Sequence, residues 1–407
     1  MQIPLEILAE IACFCPVEIW TFASVCRQWR YATLLYAKCW SCIHINSEEP
    51  KGQDRLGYRL GLWVERGGQS PLELRLQGPF HRLILSEPLV GCLSRIHTLH
   101  IDAWPSECDE QLESIVFPQL ETLSVVASTS QPQISLARVS AAFWGDSHKS
   151  EGQTPTKAPH LRQLALAGVY LHLASLPKLG TLKLQDCVIA SSSALLGLLD
   201  KVRQSLKTLC LQNITKLSTW PPAREDRLSN VEFLSLASLT LMATGASRVL
   251  ALEILPRLSS PTLTRLTCDD PFLSLMDPNR FPILSHLSVH SLHSSSLQSY
   301  QKMFKKFSIV SLTIYRDPGA RCGLNVLLWS LTQDPDFAKT LRRLRYLTSQ
   351  KTLVRGFLDT LNKERSKSLS LPKDTVFASQ NVLYRDQDAY EMPWGEFCFY
   401  EVSKGIY

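Results

Sequence analysis

The residues best equipped for chemistry are scattered along the chain. His286, His290 and His293 form its densest histidine group. On a strand, positions 286 and 290 share a face and 293 falls beyond it. No cysteine or carboxylate stands between them to complete a metal site. Cys39-Trp-Ser-Cys42 and Cys13-Phe-Cys15 are close thiol pairs, yet zinc needs two more ligands at comparable spacing and none is nearby. They read as core-packing thiols. No phosphate loop, Gly-x-Ser-x-Gly elbow, His-Glu-x-x-His pair or calcium-loop pattern occurs. The expectation is a chain that is not an enzyme and holds no metal and no cofactor.

Function must then lie in surfaces, and the elements that build them can be read from patterning. The 407 residues suffice for two or three domains or one elongated repeat array. A 45% apolar content is a globular value. No apolar run approaches the roughly 18 residues of a membrane span. Glu6, Glu10 and Glu18 interrupt the apolar start, which therefore does not read as a signal peptide. Twelve cysteines without an export signal point to reduced thiols in the cytoplasm or nucleus. The net charge of +6 is concentrated between Lys339 and Lys367, where nine Lys/Arg face two Asp/Glu. The rest is close to neutral, which argues against a nucleic-acid partner.

One pattern organises most of the chain. The spacing Leu-x-x-Leu-x-Leu, with conservative replacements, recurs at 96–101, 120–125, 161–166, 179–184, 206–211, 231–236, 263–268, 284–289 and 309–314, with a forerunner at 71–76. From Leu74 to Leu312 the central leucines repeat every 26 or so residues on average. Each unit predicts a short strand with leucines on one face and intervening residues on the other. Helical patterns fall between strands: Leu56, Leu60, Trp63 and Val64 before Gly67-Gly68, and Leu195, Leu199 and Val202 before Leu206. No repeat of this kind buries its apolar face alone, so neighbours share a core. The widest interval holds an insertion over 128–159, with a helical stretch Ser135–Trp144 and a polar Pro/Gly/Ser loop.

These strands resemble the leucine-rich-repeat family, with Cys187 as the one residue at that family's Asn/Cys position. The resemblance implies an irregular solenoid over 47–330: a curved, mostly parallel sheet with helices on the convex side. The residues between the leucines would line the concave face. Small polar ones include Thr98, His100, Thr122, Ser124, Thr208, Ser235, Ser288 and Thr313. The larger ones, Lys183, Phe233, Arg265, His286, His290 and Tyr315, are the candidate substrate-binding residues.

Ahead of the repeats, Ile7, Leu8 and Ile11 follow helical spacing behind Pro4, and Pro16 stops that helix. A second pattern runs through Trp20, Phe22, Val25, Cys26 and Trp29 to Trp40 and Ile43. Three short helices in about 40 residues are near the lower size limit for unaided folding, so this module should lean on another surface. Ile3-Pro4-Leu5-Glu6-Ile7-Leu8-x-x-Ile11, Val25-Cys26-Arg27-x-Trp29-Arg30 and Trp40-x-x-Ile43 together resemble the F-box, and the following 60–76 is similar to the joining segment of fungal F-box proteins with leucine-rich repeats. The resemblance implies that 1–46 binds a Skp-type adaptor of a cullin–RING ubiquitin ligase through Pro4, Leu5, Ile7, Leu8, Ile11, Val25 and Trp29. The repeats would hold a protein substrate. Ile3 departs from the family's Leu, conservatively. Helices that merely cap the first repeat are the alternative.

The tail, 331–407, reads as a C-terminal cap. Leu341, Leu344, Val354, Phe357, Leu358 and Leu361 trace helical faces carrying the basic cluster, and an aromatic, strand-like stretch follows from Asn381.

Overall fold

The leucine spacing becomes strands almost wherever it occurs. A computed structural model describes residues 3–14, 19–46, 53–77, 87–102, 104, 115–127, 134–144, 157–171, 176–217, 229–290, 303–315, 340, 343–348 and 376–381. The chain is α/β with parallel strands and forms two compact units, 1–263 and 264–407.

In the first unit, helices α1 (Leu5–Cys13), α2 (Ile19–Val25) and α3 (Arg27–Leu35) come first, followed by a 3-10 turn Ala37–Trp40. Eight parallel strands then add in sequence order. They are β1 (Cys42–Asn46), β2 (Leu72–Gln77), β3 (Ile96–Asp102), β4 (Thr122–Val126), β5 (Gln163–Ala167), β6 (Thr181–Gln185), β7 (Thr208–Gln212) and β8 (Ser238–Met242). The leucines align across the ladder: Leu164 pairs with Leu182, Leu182 with Leu209, and Leu209 with Leu239. All four are at most 1% exposed. Burying each such side chain stabilises the unit by about 1.5–3 kcal/mol. Helices cover the leucine side. Ser192–Val202 buries Leu195, Leu196, Leu198, Leu199 and Val202, and its N-cap Ser191 accepts the Ala194 amide at 3.1 Å.

Past β5, β6 and β7 the backbone turns at one aligned position. Gly168, Asp186 and Asn213 adopt φ of 67°, 48° and 52°, in the left-handed region that these residue types tolerate best. Their amides continue the ladder to Gln185 O (3.0 Å), Gln212 O (2.9 Å) and Met242 O (2.8 Å). Asn213 Nδ2 donates to Asp186 Oδ1, and its Oδ1 accepts from Thr244 N and Oγ1, each at 3.1 Å. The bend redirects each repeat into a second, short parallel sheet of Tyr170–Leu171, Val188–Ile189 and Thr215–Lys216. Cys187 packs directly after the bend and donates its thiol to Gln185 O at 3.2 Å.

In the second unit the sheet order is β9 (Arg265–Asp269), β10 (His286–His290), β11 (Ser311–Tyr315), β12 (Arg343–Thr348) and β13 (Val376–Asn381), again parallel. Leu266, Leu287 and Leu312 pair in register and are buried.

Several expectations need correction. The stretch Cys42–Asn46, assigned to the helical module, is a sheet strand paired with β2 from Cys42↔Glu73 to Asn46↔Gln77. In the tail, Leu344 belongs not to a helix but to strand β12, opposite Leu312, since spacing of three residues between leucines suits a strand repeat as well as a helix; Leu341, Val354, Phe357, Leu358, Leu361 and the aromatic stretch after Asn381 lie outside the described residues. The segment 231–236 is not the main-sheet strand. Only Val231–Glu232 is extended, paired with Leu258–Ser259, and the ladder is carried by Ser238–Met242. The working frame is Leu236-x-x-Leu239-x-Leu241, five residues later, and it leaves Leu234 54% exposed. Within the insertion, the expected helix is present as Leu136–Phe143, while most of its polar loop lies outside the described residues.

Candidate functional site

Two surfaces lie outside the leucine core. The first is on the N-terminal helices. α1 turns Leu8, Ala9 and Ala12 inward. Its other face presents Ile3, Ile7, Ile11 and Phe14, at 48, 51, 39 and 77% exposure. This i, i+4 line of large apolar groups runs the length of the helix. Val25 closes α2 exposed, and Tyr31, Leu34 and Leu35 are exposed on α3. Eight of the sixteen exposed large apolar residues among the described residues thus fall before position 36. Side chains of that kind are normally covered, so their concentration marks an interaction surface.

The scaffold under this face is held firmly. Gln28 Nε2 donates to Ile3 O at 2.6 Å, pinning the start of α1 to α3. Arg30 Nε closes the end of α2 by donating to Ala23 O at 3.0 Å. Trp40 is fully buried and donates Nε1 to Thr33 O at 2.7 Å. Trp20 meets Trp40 edge-on at 5.0 Å and Trp63 at 5.6 Å, and the Arg66 guanidinium lies 4.5 Å from the Trp40 ring centroid. Trp63 and Arg66 belong to helix α4 (Gln53–Arg66), which connects β1 to β2. The helical module therefore does lean on the repeat body. Cys13 Sγ and Cys39 Sγ lie 3.6 Å apart beneath α1, and Cys39 Sγ reaches Ala9 O at 3.5 Å. Burial, helped by Cys13, pushes the Cys39 thiol up to about 12.

Of the residues the F-box resemblance singles out, Pro4, Ile7, Ile11 and Val25 are exposed, and Leu5 is half-buried. Trp29 is half-buried and spends its ring on Phe22, stacked at 4.9 Å. Leu8 is a correction: at 2% exposure it packs inside, because it falls on the same helical stripe as Ala12.

The second surface is the side of the sheet opposite the leucines. In the first unit, β1–β3 bring together His44, Glu73, Arg75, His100 and Asp102, with His44 opposite Arg75 and Arg75 opposite His100. Arg75 donates Nε to Glu73 Oε1 at 2.7 Å, and His100 Nε2 is 3.6 Å from the same oxygen. The nearby His100 imidazole and then the Arg75 guanidinium outweigh burial and hold Glu73 down at about 2. Burial raises Asp102, against His100, His44 and Arg75. This charged group escaped the sequence reading apart from His100. The available signal was phase: Glu73 and Thr98, and Arg75 and His100, occupy equivalent repeat positions.

The candidate substrate residues fall in both units. Lys183 lies half-exposed in the first unit opposite Cys210. Arg265, His286, His290 and Tyr315 share the leucine-free face of the second unit, where His290 stacks on Tyr315 at 4.2 Å and 9°. Burial keeps His290 neutral by lowering it to about 4. Phe233 is a correction: it is fully buried, because the shifted frame takes it off the strand. No group of three or more His, Cys, Asp or Glu able to hold a metal ion occurs among the described residues, and no helix there is long and apolar enough to cross a membrane.

No protein-family model matches the chain, and no curated protein matches it. Among solved structures, it is similar to the crystal structure of a Bacteroides fragilis protein at 13% identity, covering 74% of this chain and 70% of that one with a TM-score of 0.31. Likeness at that level carries no argument about what either protein does.

Proposed function

We propose that the chain is the substrate-recognition subunit of an SCF-type cullin–RING ubiquitin ligase, a non-catalytic receptor acting in the cytoplasm or nucleus. Its N-terminal helices act as an F-box and bind a Skp-type adaptor; its leucine-rich repeats hold a protein substrate. The observation that carries this reading is the outward line Ile3, Ile7, Ile11 and Phe14 on a helix whose inner face is already packed. The Val25-Cys26-Arg27-x-Trp29-Arg30 run, with Val25 exposed, agrees with it. The contribution to ubiquitin transfer is positional. Holding a substrate lysine beside a charged conjugating enzyme makes the encounter effectively intramolecular. The charged face of β1–β3 and the Arg265/His286/Tyr315 face of the second unit are the polar surfaces on which substrate choice would rest.

The packing of Trp20 and Trp40 on Trp63 favours a second reading, in which the helices only cap the repeats. Size-exclusion chromatography of the full chain with a purified Skp-type adaptor separates the two. Co-elution that Ile7→Asp with Ile11→Asp weakens by about a hundredfold or more, roughly 2.7 kcal/mol, supports the receptor. A wild-type chain that never co-elutes at micromolar concentration refutes it. The substitutions belong at Ile7 and Ile11, since a charge at buried Leu8 would disrupt the module itself.

A further inference from the structure

The thiol pair beneath α1 is used by none of the foregoing. Cys13 closes α1 and is half-buried, whereas Cys39 sits in the turn before β1 at 1% exposure. They are 26 residues apart in sequence and come from different elements, yet their sulfurs are 3.6 Å apart. A disulfide requires about 2.05 Å, so a closure of roughly 1.5 Å would join them.

We propose that Cys13 and Cys39 form a reversible disulfide that staples the exposed apolar helix to the body of the first unit, with a low-molecular-weight disulfide such as oxidised glutathione as oxidant. The half-exposed Cys13 thiolate attacks a glutathione sulfur, forming a mixed disulfide and releasing one glutathione thiolate. Cys39, losing its proton to solvent, then attacks Cys13 Sγ; the protein S–S bond forms and the second glutathione leaves and is protonated. Two protein thiols are oxidised and one glutathione disulfide is reduced to two thiols. The order follows from access, since a buried Cys39 cannot meet the oxidant first. Cys39 also hydrogen-bonds Ala9 O, so the bond would fasten α1 where it already rests. The assignment stands whether or not α1 binds an adaptor.

The full-length reduced chain is equilibrated in glutathione buffers from fully reduced to fully oxidised, quenched in denaturant with a maleimide, and digested with chymotrypsin. Cleavage after Phe14 separates Cys13 from Cys15, and cleavage after Tyr36 and Trp40 isolates Cys39 from Cys26 and Cys42. The expected product is the Cys13 peptide joined to Ala37–Trp40, rising with the oxidised share and reversed by excess thiol. Proteolysis within α1 should slow by about tenfold or more in the oxidised protein. Persistence of the Cys13–glutathione adduct with Cys39 free at equilibrium would overturn the proposal. So would cross-links made mainly by Cys15, Cys26 or Cys42. Because the wild-type chain gives the decisive map, a misfolded Cys13→Ser variant would not obscure it.

Discussion

Leu8 and Ile7 are neighbours in sequence and opposites in environment, which makes them a sharp test of the helical face. Leu8→Ala empties a site that is 2% exposed. The lost transfer energy and the cavity together should cost about 2–5 kcal/mol. For a unit of this size, that corresponds to roughly 5–15 °C in melting midpoint. Ile7 is 51% exposed, and Ala is the better helix former, so Ile7→Ala should shift stability by no more than about 0.5 kcal/mol. Urea unfolding followed by intrinsic tryptophan fluorescence, to which Trp20, Trp29, Trp40 and Trp63 contribute four of the nine tryptophans, follows the change. If Ile7→Ala proves as costly as Leu8→Ala, Ile7 is covered in the isolated chain and the free apolar face does not exist. If Leu8→Ala is silent, α1 is not packed on Cys39 and the turn before β1. Either result would undo the reasoning from which adaptor binding is proposed.

Two further expectations follow from the repeat body. Glu73 is held near 2 in the folded chain, below its unfolded value of about 4.3. Its stabilising contribution is therefore complete above that unfolded value and fades as pH falls from about 5 towards 2, on the order of 1–2 kcal/mol after solvent screening. Glu73→Gln should flatten that part of the acid-unfolding curve, and an unchanged curve would dismiss the pairing with His100 and Arg75. At the shifted repeat, Phe233→Ala should cost about 3–5 kcal/mol while the exposed Leu234→Ala costs little; the reverse order in a thermal-shift assay would restore the earlier frame.

The strands were legible because a leucine period survives loop variation: each strand needs the same three inward side chains whatever connects it to the next. The misplaced frame at 231–236 shows where that logic is ambiguous. Val231-x-x-Leu234-x-Leu236 and Leu236-x-x-Leu239-x-Leu241 share Leu236 and satisfy the pattern equally. What decides is the ladder: Ser238 pairs with Thr208 and Met242 with Gln212, and the Asn213 amide then reaches Met242 O. Register is a property of two strands, so one strand's spacing does not contain it. The same limit hid β1, where Ile43 and Ile45 show only two inward positions, and the Glu73–Arg75–His100 group, in which His100 lies 25 residues beyond Arg75 until pairing makes them neighbours.

The helical face was legible for a different reason, and its one error is instructive. A stretch that is apolar at 3, 5, 7, 8, 9, 11, 12, 13 and 14 has too many apolar positions for a single buried helical stripe, so some must point outward. Sequence alone does not say which. The structure divides them by size and phase: Leu8 and the two small residues Ala9 and Ala12 go inward, letting α1 approach Cys39 closely, and the bulky Ile3, Ile7, Ile11 and Phe14 go outward. Close packing through alanines, with four large side chains left in water, lowers stability relative to the reverse arrangement. Such a division makes physical sense if the outward residues are desolvated elsewhere, by a partner whose binding recovers the hydrophobic free energy that folding leaves unused.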